Sequence, residues 1–342
     1  SLGATANGGH VVIGVIFGAT VWNADTGERQ RELAGAILEA AISSDGSHIV
    51  TVPVSNEEPN KTAVGGNGRT GEKLRTLGVH DWAVSSAAVS ADGSRIVTGS
   101  GDRTAIVWNG HTGERLQTLK GGHAEWITSV AITDDGSRVI TASFKENHLT
   151  VWDTRTGEKL RTLAGHAFPV NAVAVTPDGS RIVSGSSDRT AIVWDGRTGE
   201  RIWTFKDRAG GVNGVAISSG GGRIVTTANH TALCWNATGG DSIRALRGHT
   251  GAIYSLTMTG DGTRIVTGAS DNTAIVWNGG TGEPLRTLKG HADRSKEGYS
   301  AYIPGVAISE DGSRIFTGGG DAMVVWWNGR TGERRRAKSG MT

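Results

Sequence analysis

A single cysteine, Cys234, in 342 residues leaves no internal disulfide possible, so whatever holds this chain folded is non-covalent. Proline is scarce too, six residues against 53 glycines. That much glycine, without a collagen period or a low-complexity run, points to many tight turns. Excess charge of one sign is missing: 35 basic residues stand against 33 acidic ones, which leaves no overall field to draw nucleic acid. No nucleic-acid partner is expected. No apolar run approaches the ~20 residues of a membrane span, and no membrane insertion is expected. The start, SLGATANGGHVVIGV, lacks a basic segment ahead of an apolar run, so no signal peptide is read there. With the lone thiol, this makes a reducing, cytoplasmic setting the expectation. Asn60, Asn229 and Asn236 head Asn-x-Ser/Thr triplets, which an Asn- and Thr-rich turn sequence produces by chance.

What is present is repetition. DGSRIVTGSGDRTAIVWNGHTGERLQTL, from Asp92, returns as DGSRIVSGSSDRTAIVWDGRTGERIWTF from Asp178 and as DGTRIVTGASDNTAIVWNGGTGEPLRTL from Asp261. Tryptophan recurs at positions 22, 108, 152, 194, 235, 277 and 327, each time before Asn or Asp, and Gly66 stands where one more is due. The eight marks are 41 to 44 residues apart, except for a last interval of 50 caused by an insertion. Within a unit, VNAVAVTP alternates and runs into Asp178-Gly179, a hairpin signal because both turn residues tolerate positive φ. RIVSGS follows, then TAIVWD, whose unbroken apolar character suits a strand buried on both faces. The more polar ERIWTF suits an exposed outer edge. Short strands with turn signals at this spacing indicate an all-β fold, and the ~40-residue period selects a β-propeller of four-stranded antiparallel blades.

These residues carry a resemblance to the WD-repeat (WD40) β-propeller family over nearly the whole chain. The family's Gly-His pair appears at Gly122–His123, Gly165–His166, Gly248–His249 and Gly290–His291, with His80 in the same register after Val79. The resemblance implies a buried hydrogen-bond relay joining that His to a turn Asp, a Ser/Thr and the Trp. By register it maps onto His80, Asp102, Thr98 and Trp108, and onto His166, Asp188, Ser184 and Trp194. It recurs at His249, Asp271, Thr267 and Trp277, and at His291, Asp321, Thr317 and Trp327. The fourth unit has His123, Thr141 and Trp152 but an irregular turn, FKENH. In the sixth, Arg208 replaces the His, Asn229 stands near the turn Asp, and Gly220-Gly221 forms the first hairpin. Units one and two lack the His, and unit two also lacks the Trp. Blades six, one and two are therefore expected to be the least stable. The chain divides as one domain, 1–342, into units 1–35, 36–78, 79–120, 121–163, 164–206, 207–246, 247–288 and 289–342. Eight blades are expected, closing by packing rather than by a blade shared between the ends. The alternative is seven blades with a displaced degenerate unit.

Chemistry finds little to work with. Five of the ten histidines (80, 123, 166, 249, 291) recur once per unit and read as buried structural residues. Spread around a ring, they cannot converge as the three or four ligands of a zinc site must, so no metal is expected. The Asp-Gly pairs lack the spacing of a calcium loop. Cys234 stands where other units have Val and reads as core, not as a nucleophile, which needs a base beside it and some exposure. Gly65-Gly66-Asn67-Gly68 and Gly220-Gly221-Gly222 lack the helix a phosphate-cradling loop requires. No catalytic residue and no cofactor is expected. One enzymatic alternative is an eight-bladed quinoprotein-type dehydrogenase, whose tryptophan-docking pattern is similar to Asp195–Trp203. Only this unit ends in Trp, however, and a vicinal cysteine pair is impossible.

A docking face is easier to locate. Turns between first and second strands, and between third and fourth, are nearly uniform along the sequence. The irregular segments all fall at the opposite ends: PVSNEEPN (53–60), FKENH (144–148) and ADRSKEGY (292–299). Extended loops on a repeat scaffold map to its binding face. Trp82, Trp126, Phe168 and Tyr254, near the starts of inner strands, should share that face with Phe144, Lys145, Tyr299 and Tyr302. Aromatic residues dominate interface hot spots, so these are the expected partner-binding residues. Arg334, Arg335, Arg336 and Lys338 form the only basic run and read as a solvated outer strand, where charge also discourages edge pairing. The sequence thus reads as a non-enzymatic protein–protein interaction scaffold, or a subunit of a larger complex. A purely architectural subunit binding through its blade sides is the further alternative.

Overall fold

The computed structural model describes residues 2–339 apart from positions 5–9, 16–17, 24–28, 34–36, 54–60, 79, 208, 238, 240–241, 292–301 and 322. Strands β1 to β32, numbered in chain order, form eight four-stranded antiparallel sheets among the described residues, each a meander of four consecutive strands.

Blade five shows why this sequence makes this unit. β17 (Val170–Val175) turns into β18 (Arg181–Ser186) at Asp178-Gly179, where Gly179 takes φ 67°. The Asp178 carboxylate accepts from the Ser180 amide at 2.9 Å and from the Thr176 hydroxyl at 2.7 Å, which fixes the turn. β18 and β19 (Thr190–Asp195) are buried along nearly their whole length, as continuous apolar runs require, while β20 (Arg201–Lys206) is mostly exposed. Where β19 pairs with β20, the register slips between Val193 and Trp194. The same slip recurs at the tryptophan position of all eight sheets, including between Gly65 and Gly66. Gly66 therefore does occupy the tryptophan register. A β-carbon there would meet both the Glu72 carbonyl oxygen and Ile49 Cγ1 at 3.0 Å, and Ile49 stands in the cross-strand position that other blades place opposite the tryptophan.

The cores lie between blades rather than within them. Val225, Ala232, Cys234 and Leu246 of blade six pack with Ile253, Ile265, Ile275 and Trp277 of blade seven. Val266, Val276 and Leu288 of blade seven likewise pack with Ile303, Ile315 and Trp327 of blade eight. Trp108, Trp152, Trp194, Trp235, Trp277 and Trp327 are each buried in a core shared with the preceding blade. At the closure, β1 (Leu2–Ala4) and β2 (His10–Val15) of blade one pack on β29 (Gly305–Ile308) and β30 (Arg314–Gly318) of blade eight. Blade eight brings Phe316 and Trp326 to positions where blade seven has Val266 and Val276, and their rings stack 6.2 Å apart at 9°.

Candidate partner-docking face

The relay residues meet as the register requires. His80 Nδ1 donates to Asp102 Oδ2 at 2.8 Å; its Nε2 lies 2.8 Å from Thr98 Oγ1, which also accepts from Trp108 Nε1 at 2.9 Å. The Thr98 hydroxyl therefore donates to Nε2, and every polar atom of the buried chain is used. Corresponding His–acid and Trp–hydroxyl bonds are both 2.9 Å in the sets of His166, His249 and His291. Asp102 and Asp188 also accept from the backbone amides of Asp81 and Ala167, so the relay ties the blade entrance to the second–third turn. Burial pushes the Asp102 carboxyl up, but donors from His80 and Thr104 outweigh it together and bring it down to about 2.

Two relays are built differently from the sequence expectation. In blade four, five residues, 144–148, separate Ser143 from Leu149, where in blade three four residues, 101–104, separate Ser100 from Ala105. The acid is Glu146, whose longer side chain spans the extra step and takes His123 Nδ1 at 2.5 Å. Thr141 and Trp152 complete the chain at 2.7 and 2.9 Å. His148 stacks on His123, with centroids 5.3 Å apart. In blade six Arg208, the residue expected in place of the histidine, lies outside the described residues. The acid Asp207, 3% exposed, reaches Thr226 Oγ1 at 3.4 Å, and Trp235 Nε1 donates to the same hydroxyl at 3.0 Å. Burial raises the Asp207 carboxyl, against bonds from the Ala209 amide and Thr226. Asn229 donates to the Ala209 carbonyl at 2.7 Å and is not part of the relay. Glu146 was discoverable as the only acid in its turn; Asp207 carried no signal, because it sits one residue before the expected position.

Above the relays stand the aromatic residues. Trp82, Trp126, Phe144, Phe168 and Tyr254 are between 45 and 61% exposed, whereas the relay tryptophans are buried. Trp126 stacks on Phe144 at 6.1 Å, with Lys145 Nζ 5.2 Å from the Phe144 centroid. Tyr254 meets Tyr302 edge-on at 5.5 Å. One member of each pair lines a cleft. Phe144 borders one of about 220 Å³ with Pro169 and Asn171, and Tyr254 borders one of about 330 Å³ with Asn213 and Asn229. The main chain beneath is pinned to the second strands: the Trp82 and Phe168 carbonyls accept from Ser100 and Ser186 at 2.9 Å, and the Trp126 carbonyl accepts from the Phe144 amide at 2.7 Å. The apolar surface is therefore held on a fixed base. Tyr299 and the segments 54–60 and 292–299 lie outside the described residues.

The remaining candidates are ordinary structure. Cys234 is fully buried, and burial raises its thiol. A maleimide reagent should label it only as the protein unfolds; stoichiometric labelling of the native protein would contradict this placement. Trp203, on which the quinoprotein likeness turned, packs half-buried into the core shared by blades five and six. Arg335 and Glu333 are exposed 3.8 Å apart, an ion pair of little weight.

Comparison with known proteins agrees with this geometry. The family model described as "WD domain, G-beta repeat" matches residues 71–109, 113–153, 157–195, 240–278 and 282–328. These windows pass over the inner strands of blades one, two and six, which lack the relay histidine. No curated protein matches the chain. Among 1904 matching chains of solved structure is the computationally designed Ika8 protein, 25% identical, with a TM-score of 0.79 over 95% of both chains. A shape shared so widely fixes the fold and leaves the partner to be read from the surface.

Proposed function

Because the chain belongs to the WD40 repeat family, we propose that it is a non-enzymatic scaffold that holds a protein partner on the face carrying Trp126–Phe144 and Tyr254–Tyr302. Propellers of this family typically serve as protein-interaction scaffolds. The observation that carries the finer reading is the gathering of half-exposed aromatics over the fully hydrogen-bonded relays, with Phe144 and Tyr254 each lining a cleft. Rigid aromatic anchors on a pinned main chain lose little conformational freedom on binding, which is what hot spots require.

Trp126→Ala combined with Phe144→Ala tests it. Both residues are about half exposed, so the double variant should melt within a few degrees of wild type. In a pull-down from the native source read by mass spectrometry, it should lose a protein that wild type retains. Equal retention by the two forms would remove this face from consideration. A collapsed melting temperature would make the pair core residues instead.

A further inference from the structure

We propose that His123, Glu146 and His148 form a Zn2+ site at the second–third turn of blade four, with a fourth position open to solvent. In blades three, five and seven the residue two places after the relay acid is Thr104, Thr190 or Thr273, whose hydroxyl donates to that acid at 2.6 to 2.7 Å. Blade four has His148 there, which brings a second imidazole to the same carboxylate. Its Nε2 lies 3.7 Å from Glu146 Oε2, and the three ligand atoms all fall within 4.8 Å of one another. Two imidazole nitrogens and a carboxylate oxygen are a donor set that zinc takes readily, with water completing a tetrahedron.

The geometry needs only small rotations. Zn–N and Zn–O distances of about 2.0–2.1 Å put tetrahedral ligand atoms about 3.3 Å apart. The 2.5 Å contact between His123 and Glu146 must open, and the 3.7 Å contact to His148 must close slightly. Glu146 Oε1 accepts from the Ala124 amide at 2.7 Å, which anchors the carboxylate while Oε2 faces both rings.

The protons can be accounted for without leaving the ring. Nδ1 of His123 now donates to Glu146; to bind metal it must present a lone pair, so the ring's one proton moves to Nε2. Nε2 then donates to Thr141 Oγ1 at 2.7 Å. The Thr141 hydroxyl turns its own hydrogen to the Thr150 carbonyl, 3.4 Å away, and keeps the bond from Trp152 Nε1. The relay becomes the support that orients a metal-bound imidazole. His148, its proton on Nδ1, offers Nε2 in place of its 3.3 Å approach to the Gly122 carbonyl. Side-chain exposures of 1, 14 and 24% for His123, Glu146 and His148 leave the open position on the solvent side.

Metal-free protein should bind one equivalent of Zn2+ by calorimetry, and Co2+ should give the visible absorption of a tetrahedral site. His148→Thr installs the residue the other blades carry and leaves the His123–Thr141–Trp152 chain untouched. It should lower affinity by at least the roughly 10–100-fold that losing a mere supporting partner costs. Zn2+ should raise the melting temperature of wild type and not of the variant. Glu146→Gln, which keeps an acceptor for His123, gives the same reading should His148→Thr fail to fold. No binding by wild type, or equal binding by His148→Thr, overturns the proposal. So does binding that survives His148→Thr but is lost in His111→Ala, which would move the ion to the His48–His111 pair, whose nitrogens lie 3.2 Å apart.

Discussion

Trp277→Ala will destabilise the protein by about 3–5 kcal/mol, the usual cost of deleting a fully buried large aromatic. Trp277 has no exposed surface and packs with Cys234, Leu246 and Ile265 in the core joining blades six and seven. Its loss leaves a cavity between two blades and deprives Thr267 Oγ1 of the 2.9 Å bond from Nε1. Trp277→Phe separates the two effects in part, since it keeps most of the burial while losing the donor; it should fall between wild type and alanine. Trp82→Ala, at a side chain 50% exposed, should shift stability by no more than about 0.5 kcal/mol. Urea unfolding followed by far-UV circular dichroism measures all three. Similar losses from Trp277→Ala and Trp82→Ala would mean that the relay position is not where the fold is held.

Stability will also fall steadily from neutral pH towards pH 2, in two stages. Burial holds His123 and His166 below the ordinary 6.5, against the pull of Glu146 and Asp188. His48 is lowered as well, by burial and by His111 beside it. A histidine depressed in the folded state favours folding while neutral, so that contribution is present above 6.5 and fades as pH drops through the lower folded value. The second stage belongs to the relay carboxylates. Asp102 moves from 3.8 to about 2, and Asp188 and Asp271 are lowered in the same direction, their donors outweighing burial. The Asp102 contribution is complete above 3.8 and is lost as pH falls to about 2, and those of Asp188 and Asp271 fade in the same direction. Asp207 works the other way: raised by burial, it favours folding at low pH and loses that effect as pH rises through its folded value. Burial raises Glu39 and Asp134 as well, but more of the described carboxylates are lowered than raised, so the trend is not reversed. Urea midpoints at pH 7, 5 and 3 should decline in order, and equal midpoints at pH 7 and 3 would refute this account.

The repeat made most of this legible beforehand. Tryptophan spacing and Asp-Gly turns place strands because each encodes a local constraint, and a local constraint copied many times reveals its own register. Relay partners such as His80 and Asp102, 22 residues apart, could be paired because that interval recurs. Less legible were deviations that no other unit repeats. Glu146 compensates an inserted residue with a longer side chain, and Asp207 approaches Thr226 from a neighbouring position. Neither solution has a second copy to announce it. Tyr254–Tyr302 joins residues from two successive blades, a contact set by how sheets lie side by side rather than by any sequence interval.

Among the described residues every blade is a contiguous stretch of chain, with no strand borrowed from the far end. Nearly all pairings therefore join neighbours in sequence, and loop closure is inexpensive for each of them. Contact order is low for an all-β protein, so folding can nucleate in any unit and propagate to the next, as in a linear array. The seam where β1 and β2 meet β29 and β30 is the exception, since it joins residues some 300 positions apart. It forms only when both ends are in place. Of all the contacts in the ring, this seam therefore carries the largest loop-closure cost.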